Sequence, residues 1–361
     1  MAIRIYPNTK VYVVAPANTA TGGPELLHQL VYHLRKDLGI DAYMYYVPSN
    51  YPDPVHPEYK LYNNPFVRDI EDTEENIVIV PEVATGIEVL GTYFKIRKVI
   101  WWLSVDNFYL SLFFRSKRNL FIPRLINKIS DMIFKKRLID IDEYAYKCIS
   151  QNEFFYISQI KQIDFHFAQS WYAVSHLKEK EISGSKIFYL SDYLNSSFLN
   201  IKTNLAKKEN IVAYNPKKGL SFTRRIIKHA SGIKFIPIIN MTRQKVIETL
   251  QRAKVYIDFG NHPGKDRLPR EAAILGCCVI TGKRGAAKYF KDVPIPEEYK
   301  FEDKEENIPL IVDKIRDCFK NFNLHLRNFE KYRETIRNEQ EKFIQDLKCI
   351  FEIRDKEKPP Q

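Results

Sequence analysis

The segment 255–282 constrains the fold of this chain most strongly, and it reads VYIDFGNHPGKDRLPREAAILGCCVITG. The apolar run Val255–Phe259 predicts a buried strand, and a polar loop without a regular period follows it. A helix is expected to begin near Leu268-Pro269, because proline fits the first turn of a helix. Gly276 ends that helix, and Cys277–Thr281 predicts a second buried strand. A strand–loop–helix–strand unit with a charged loop after the first strand is typical of the ligand crevice of an open α/β sheet.

Two α/β patterns follow one another along the chain. The first has a strand at Val11–Pro16, a helix from Pro24 to about Leu38 and a strand at Ile40–Val47, and the second pattern begins at Asn210. A chain of 361 residues has room for two or three domains, and 45% hydrophobic residues supply a sizeable core. We therefore expect an N-terminal Rossmann-like domain over 1–194, a linker over 195–209, a second Rossmann-like domain over 210–300, and C-terminal helices over 301–361 that pack back on the domains, with a disordered tail from residue 354.

Polar residues at the predicted strand ends of the first half are candidates for a site. Gly22 and Gly23 precede a predicted helix, where the missing Cβ atoms and the free N–H groups favour the approach of an anion. Glu82 and Asp106 follow two further predicted buried strands. Because the carboxyl ends of parallel strands face the ligand crevice, both carboxylates are candidates for substrate binding or for a general base. The loop lacks G-x-G-x-x-G, so a nicotinamide or flavin cofactor is not indicated.

The formal net charge of +12 has an uneven distribution along the chain. Between Arg115 and Arg137 there are eight Lys or Arg residues and one acidic residue, and isoleucines recur at helical spacing between Ile122 and Ile133. A basic amphipathic helix with aromatic residues is typical of an interfacial membrane anchor. The alternative is a surface helix that packs its apolar face on the domain core. We expect the segment 111–138 to contact an anionic membrane surface through Arg124, Lys128, Lys135 and Lys136.

Other features bound the location and the partners. The five cysteines show no metal-ligand spacing, which favours reduced thiols and a cytoplasmic protein. The basic segment predicts a peripheral location at the inner face of the plasma membrane. We expect neither a signal peptide nor a membrane-spanning segment, because no apolar run approaches 18 residues. Nucleic acid is not expected as a partner, because no zinc-finger, helix-turn-helix or RNA-binding pattern accompanies the charge.

The segment 255–282 resembles the nucleotide-sugar half of GT-B glycosyltransferases, especially the large retaining family with an E-x7-E signature. In that family the second glutamate is followed by a small-residue helix, a glycine and an apolar strand. Glu271-Ala272-Ala273, Gly276 and Val279-Ile280-Thr281 match this half of the signature. The first glutamate is absent, since Pro263 stands eight residues before Glu271. The resemblance implies an α/β, GT-B fold of two Rossmann-like domains facing each other across a cleft, with a C-terminal helical tail.

The resemblance also implies roles for individual residues. Glu271 would hold the ribose hydroxyls of a nucleotide diphosphate sugar, and Lys217 or Lys218 would contact its diphosphate. His262, Lys265 and Asp266 surround the position of the missing glutamate. The candidate catalytic residues are Asp266, His262, Glu82 and Asp106, and the candidate donor-binding residues are Gly22, Gly23, Lys217, Lys218, Lys265, Arg270 and Glu271.

The expected function is transfer of a sugar from a nucleotide diphosphate sugar to a hydroxyl of a glycan or lipid-linked acceptor, in bacterial capsule or surface polysaccharide synthesis. GT-B enzymes generally need no metal, because lysines and helix N-termini offset the charge of the leaving diphosphate. We therefore expect no metal and no other cofactor. The missing glutamate leaves open a non-catalytic nucleotide-sugar-binding or assembly protein with the same fold. A nucleotide-sugar epimerase is a further alternative, although the sequence does not clearly show the acid and base groups that it needs.

Overall fold

A computed structural model describes residues 2–115, 120–134, 139, 141–149, 155, 160 and 163–353. The chain divides into two compact units, each with its own parallel sheet. The first unit comprises Met1–Gln169, Ala173–Leu190 and Asp346–Gln361, and the second comprises Ser170–Tyr172 and Ser191–Gln345.

The described strands and helices alternate through most of the chain. The strands are β1 (Ile3–Ile5), β2 (Lys10–Pro16), β3 (Asp41–Val47), β4 (Phe66–Val67), β5 (Ile77–Pro81), β6 (Arg97–Trp102), β7 (Phe165–Ala168), β8 (Ile187–Tyr189), β9 (Glu209–Tyr214), β10 (Lys234–Pro237), β11 (Ala253–Asp258), β12 (Cys278–Thr281) and β13 (Phe351–Ile353). The helices are α1 (Gly22–Lys36), α2 (Ala84–Leu90), α3 (Val105–Arg115), α4 (Phe121–Phe134), α5 (Ile141–Cys148), α6 (Trp171–Glu179), α7 (Ser196–Leu199), α8 (Leu220–His229), α9 (Arg243–Arg252), α10 (Arg267–Ile274), α11 (Ile308–Lys320), α12 (Phe322–Arg327), α13 (Glu330–Arg337) and α14 (Glu339–Ile350).

The first unit contains a seven-stranded parallel sheet in the order β4-β3-β2-β5-β6-β7-β8. Its central strand β5 is apolar and buried along its whole length, as expected for a parallel strand covered on both faces. The chain moves outward from β2 to β3 and β4, and then returns to the other side of β2 as β5. The strand order therefore reverses between β2 and β5, and the loops after these two strands begin at the place where open α/β sheets bind ligands.

The second unit repeats this arrangement with a four-stranded parallel sheet in the order β10-β9-β11-β12. Strands β11 and β12 supply buried apolar side chains to the core of the unit, and α11 packs on β11. Here the strand order reverses between β9 and β11. The segment 259–266, which the sequence singles out, follows one of these two strands directly.

The C-terminal region departs from the sequence prediction at its end. Helices α11 to α14 form as predicted, but the expected helical pattern does not continue through Phe351–Ile353, which is strand β13. It pairs in parallel with β1, with Ile3 opposite Phe351 and Ile5 opposite Ile353. Strands of three residues are too short to show a period, and the partner lies at the other end of the sequence. The predicted disordered tail from residue 354 lies outside the described residues.

The segment 195–209, predicted as a linker, lies within the second unit. Phe198 in α7 is buried and belongs to the core of that unit, and Lys208 is also buried. Within the described part of the chain, no helix has both the length and the hydrophobicity needed to cross a membrane.

Candidate functional site

The loops after β9, β11 and β12 meet at the carboxyl edge of the second sheet. Gly219 and Gly260 have positive φ angles of 58° and 92°. A Cβ atom on Gly219 would lie 2.3 Å from the carbonyl oxygen of Phe259, and one on Gly260 would lie 2.5 Å from the amide nitrogen of Gly219. The third loop joins through Ala286, whose N–H donates to the carbonyl of His262 at 2.8 Å. Glycine is therefore required for the first two backbones to touch at the point of strand reversal.

Four polar side chains form a cluster where these loops meet. The ammonium Nζ of Lys218 donates to Oδ2 of Asp266 and lies 3.3 Å from Oδ1 of Asp258 and 3.2 Å from Nδ1 of His262. The Nδ1 atom of His262 is also 2.9 Å from Oδ2 of Asp266. The side chains of Asp258 and His262 are completely buried, whereas those of Lys218 and Asp266 are 17% and 25% exposed. The Lys218–Asp266 pair is thus the part of the cluster that a ligand can reach.

The charges of this cluster shift one another's protonation. Burial would lower the pKa of Lys218, but the carboxylates of Asp258 and Asp266 raise it above its usual value. Burial would raise the pKa of Asp266, but the ammonium of Lys218 and the ring of His262 bring it well below its usual value. Burial raises the pKa of Asp258. At neutral pH Lys218 and Asp266 are therefore an ion pair.

The same cluster contains possible metal ligands. Ligand atoms of Asp258, His262 and Asp266 all lie within 4.8 Å of one another. The ammonium of Lys218 contacts all three residues, and a metal ion at this place would have to displace it. The cluster thus holds a cation that belongs to the chain itself.

Glu271 lies further along helix α10 than the sequence suggested. The helix begins at Arg267 with Asp266 as its N-cap, so that Pro269 is in the first turn, as predicted, but Glu271 is in the second. The expected start near Leu268-Pro269, which would put Glu271 in the first turn, is too late in the sequence, because the extended backbone already ends at Asp266. The side chain of Glu271 is 9% exposed, and its Oε1 lies 3.8 Å from Nε of Arg267.

Lys265 and Arg270 take part in an ionic network inside the second unit. The guanidinium of Arg270 is fully buried and contacts Asp192 at 2.6 Å and Glu339 at 2.8 Å. The ammonium of Lys265 contacts the other oxygen of Glu339 at 2.6 Å and donates to Ser191 at 3.1 Å. This network fixes the loop 259–266 and the start of α10 against two distant segments of the chain.

Lys217 differs from its neighbour Lys218. The residue is exposed, and its backbone N–H donates to the side chain of Asn215 at 3.0 Å. Of the two lysines that the sequence offered for a diphosphate, Lys218 is the one in the cluster.

Three candidate residues of the first unit, Gly22, Gly23 and Glu82, follow the two strands between which the order of its sheet reverses. Helix α1 begins at Gly22 and not at Pro24 as predicted, so Gly22 and Gly23 belong to its first turn. The first N–H groups of a helix need no partner within the helix, and Pro24 can therefore stand third. The side chain of Leu103 lies 3.7 Å from the position of a Cβ atom on Gly23, and the N–H of Leu103 donates to Oε2 of Glu82 at 3.0 Å. Leu103 thus connects the loop after β5 with the start of α1.

The two carboxylates of this unit have different environments. Glu82 directly follows β5 and is 2% exposed, and burial raises its pKa to about 8, against the hydrogen bonds from backbone N–H groups. It is therefore mostly protonated at pH 7. Asp106 is 8% exposed and is the second residue of α3, where the helix dipole favours a negative charge.

Helix α4 exposes its apolar face. Among the side chains of α4 that the structure describes, those of Pro123, Asn127 and Ser130 are buried. The side chain of Asn127 both donates to and accepts from the backbone of Ile139 at 2.8 Å. The large apolar side chains on the exposed side are between 38% and 77% exposed: Phe121, Ile122, Leu125, Ile126, Ile129 and Met132. Arg124 and Lys128 are exposed beside them, whereas Lys135 and Lys136 lie outside the described residues.

Sequence reasoning missed several residues of the second-unit site. Asp258 ends strand β11, so the rule that selected Glu82 at a strand end also applies to it. Asp303 accepts the N–H of Gly260 at 2.9 Å, and burial raises its pKa. Asp192 and Glu339, the partners of Arg270, come from segments distant in the sequence, and no local sequence pattern predicts their contact with it.

No protein-family profile and no curated protein matches this sequence. Solved structures do match it. HepE from Anabaena, in complex with UDP and glucose, has a TM-score of 0.57 at 10% identity, with 94% of this chain and 98% of that chain covered. The lipopolysaccharide outer core galactosyltransferase WaaB, in its apo form, has a TM-score of 0.56 at 10% identity, with 93% and 98% covered.

TarM from S. aureus, in complex with fondaparinux, alpha-GlcNAc-glycerol and UDP, has a TM-score of 0.52 at 14% identity. The match covers 78% of this chain but only 56% of TarM, so this chain spans little more than half of the length of that protein. At these identities the likeness shows the fold alone. The predicted GT-B fold, with two units built on parallel sheets, is confirmed.

Proposed function

We propose that this protein is a glycosyltransferase that binds a nucleoside diphosphate sugar in its second unit and transfers the sugar to a hydroxyl group. The observation that carries this proposal is the cluster around Lys218, which lies where the strand order of the second sheet reverses. That is where open α/β sheets bind nucleotides. The complexes of HepE and TarM with UDP support this class of ligand.

Two parts of a nucleoside diphosphate sugar, the diphosphate and the ribose, have suitable partners in this unit. The partly exposed ammonium of Lys218 suits the diphosphate, as a point charge close to the start of helix α10. Glu271, one turn further along that helix, suits the ribose hydroxyls, because a carboxylate accepts hydrogen bonds from both of them. His262 and Asp266 occupy the region of the missing first glutamate and are the candidate catalytic groups of this unit.

The first unit is proposed to bind the acceptor. Glu82 carries a proton at neutral pH and is a candidate general acid, whereas Asp106 is a candidate general base. Gly22 and Gly23 leave the start of α1 open to a ligand oxygen. No metal or other cofactor is part of the proposal, because Lys218 supplies the positive charge.

The exposed apolar face of α4 supports a location at an anionic membrane. A helix that buries Asn127 and Ser130 while it exposes Leu125 and Ile129 would leave apolar surface in water, unless an apolar medium covers it. Exposed basic side chains beside that surface complement anionic headgroups. A lipid-linked acceptor of capsule or surface polysaccharide synthesis in a bacterium would be presented at such a surface, on the cytoplasmic side.

Calorimetry with UDP-, GDP- and CMP-sugars tests the donor site. One nucleotide sugar is expected to bind, and Glu271→Ala is expected to weaken its binding by about 10- to 100-fold, because hydrogen bonds to a charged group are lost. Glu297→Ala is the matched control, since that side chain is 74% exposed in the same unit. Unchanged affinity of the Glu271 variant would refute the role of this residue. Binding without turnover in the presence of acceptors would favour the non-catalytic alternative.

Sedimentation with vesicles tests the membrane proposal. We expect the protein to bind vesicles that contain phosphatidylserine, and Lys128→Glu to weaken this binding by about tenfold, because a contribution of about 1 kcal/mol is lost and repulsion is added. Leu125→Glu should weaken it as well, whereas Leu310→Glu, at an apolar residue of the second unit that is 56% exposed, should leave it unchanged. Failure of the unsubstituted protein to sediment with these vesicles would end the membrane proposal.

A further inference from the structure

Asp266 is the N-cap of α10 but lacks the hydrogen bond that is usual for an N-cap side chain. An aspartate at this position normally accepts a hydrogen bond from the N–H of the second or third helical residue. Asp266 makes no such bond, and the third residue of α10 is Pro269, which has no N–H. Its carboxylate turns instead to Lys218 and His262. The sequence order D-R-L-P thus removes one of the two usual capping donors and favours contact of the aspartate with the lysine.

The carboxylate of Asp266 forms an ion pair with Lys218, the cation to which an incoming phosphate would bind. The ammonium of Lys218 also lies 3.3 Å from Oδ1 of Asp258, which is fully buried and accepts at Oδ2 from the hydroxyl of Tyr256 at 2.8 Å. Asp266, by contrast, is the most exposed member of the cluster. An anion that approaches from solvent therefore meets Lys218 and Asp266 together, and it competes with Asp266 but not with Asp258.

We propose that Asp266 is an internal competitor of the donor diphosphate, which binds Lys218 only when it displaces this carboxylate. The inference rests on the proposed nucleotide site. Under it, Asp266 does not hold the donor by direct contact but lowers the affinity of the site for it. A diphosphate carries more negative charge than one carboxylate and offers more acceptor oxygens, so it can replace Asp266 at Lys218. A ligand with a weaker anionic group would be excluded by the same contact.

Calorimetric titration with UDP, and separately with inorganic pyrophosphate, tests this competition. Asp266→Asn removes the competing charge but keeps the shape of the side chain, and it is expected to tighten the binding of both probes by about tenfold. Asp313→Asn makes the same change of charge at an exposed residue of α11 and is expected to leave both affinities unchanged. A general effect of net charge is thereby separated from an effect of position.

A double-mutant cycle tests whether Asp266 acts through Lys218. Lys218→Met alone should weaken the binding of UDP, and in that background Asp266→Asn should change the affinity by less than about twofold. If Lys218→Met does not fold, the cycle is carried out with Lys218→Gln. The double variant Lys218→Gln with Asp266→Asn removes both charges of the ion pair and therefore leaves fewer buried charges without a partner.

The outcomes separate the competitor role from the nucleotide site itself. Weaker binding of UDP by Asp266→Asn would overturn the inference, because Asp266 would then contribute to binding, and the nucleotide site would stand. Equal tightening by Asp313→Asn would also overturn it. Binding of UDP by Asp266→Asn alone, and not by the unsubstituted protein, would support it in its strongest form. Absence of UDP binding in all proteins would refute the proposed function and the inference together.

Discussion

At the scale of the residue, Lys208 is a buried lysine whose ammonium stabilises the ends of two helices. Its Nζ donates to the carbonyls of Leu250 and Ala253 at the end of α9, each at 2.8 Å, and to that of Leu275 at the end of α10, at 2.7 Å. A cation at a helix C-terminus satisfies carbonyls that have no partner within the helix and interacts favourably with the helix dipole. Burial lowers the pKa of Lys208.

Lys208→Met is expected to destabilise the second unit by about 3 kcal/mol, because three buried carbonyl oxygens lose a charged donor. The thiol of Cys277 contacts two of these oxygens at 3.2 Å, but a thiol is a weak donor. Chemical denaturation followed by fluorescence measures this change. Lys207→Met is the matched control, because Lys207 is exposed. Its substitution is expected to change the free energy of unfolding by less than about 0.5 kcal/mol. Equal stability of the two variants would show that the carbonyls find other donors.

The buried Glu82 predicts a dependence of stability on pH. Its pKa is about 8 in the folded protein against an ordinary value of 4.5. Between these values the folded state binds a proton that the unfolded state releases, so the free energy of unfolding falls as the pH rises, by up to about 1.4 kcal/mol per pH unit. Glu82→Gln removes this dependence.

Denaturation at pH 6 and pH 8 measures the contribution of Glu82. Between pH 6 and pH 8 the free energy of unfolding of the unsubstituted protein is expected to fall by roughly 2 kcal/mol more than that of Glu82→Gln. Glu74→Gln, at an exposed residue of the same unit, should behave like the unsubstituted protein. Parallel pH profiles of the Glu82 variant and the unsubstituted protein would contradict the raised pKa.

At the scale of the element, the sequence predicted those strands and helices that carry a period. The helix of the first βαβ unit, the buried strands and α4 were all recognisable, because each is long enough to show regular apolar spacing. The pattern could not show which face of α4 is buried: Asn127 finds partners in the backbone of Ile139, which no helical period reveals. The pairing of β1 with β13 was invisible for the same reason, since it joins two short segments from opposite ends of the chain.

Strand β13 predicts that the end of the chain stabilises the first unit. Phe351 is 3% exposed, and its ring packs edge-on against Phe167 of β7 with centroids 6.0 Å apart. Phe351→Ala is expected to destabilise that unit by about 3–4 kcal/mol, because it leaves a cavity in the core. Ile353→Ala is the control in the same strand, since Ile353 is 52% exposed. A similar loss for both variants would assign the effect to strand pairing and not to the core contact.

At the scale of the whole molecule, the two units share one physical principle, in which polar groups gather where the strand order of a parallel sheet reverses. The sequence located both places, because Glu82 and the loop 259–266 directly follow buried strands. It could not predict the network of Arg270 with Asp192 and Glu339, since these partners meet only after the chain has folded. Sequence reasoning therefore found the edge of the site, and tertiary contacts determined which charges remain accessible there.

The separate cores of the two units predict a local response to nucleotide. Hydrogen exchange with and without UDP is expected to show added protection in the segments 215–219, 259–266 and 282–287, which meet at the carboxyl edge of the second sheet. At a concentration of UDP 100 times its Kd, the second unit should gain about 2.7 kcal/mol of stability against unfolding. Protection confined to the first unit would place the nucleotide at the wrong sheet for the proposed donor site, and Glu82 would then replace Glu271 as the residue to test.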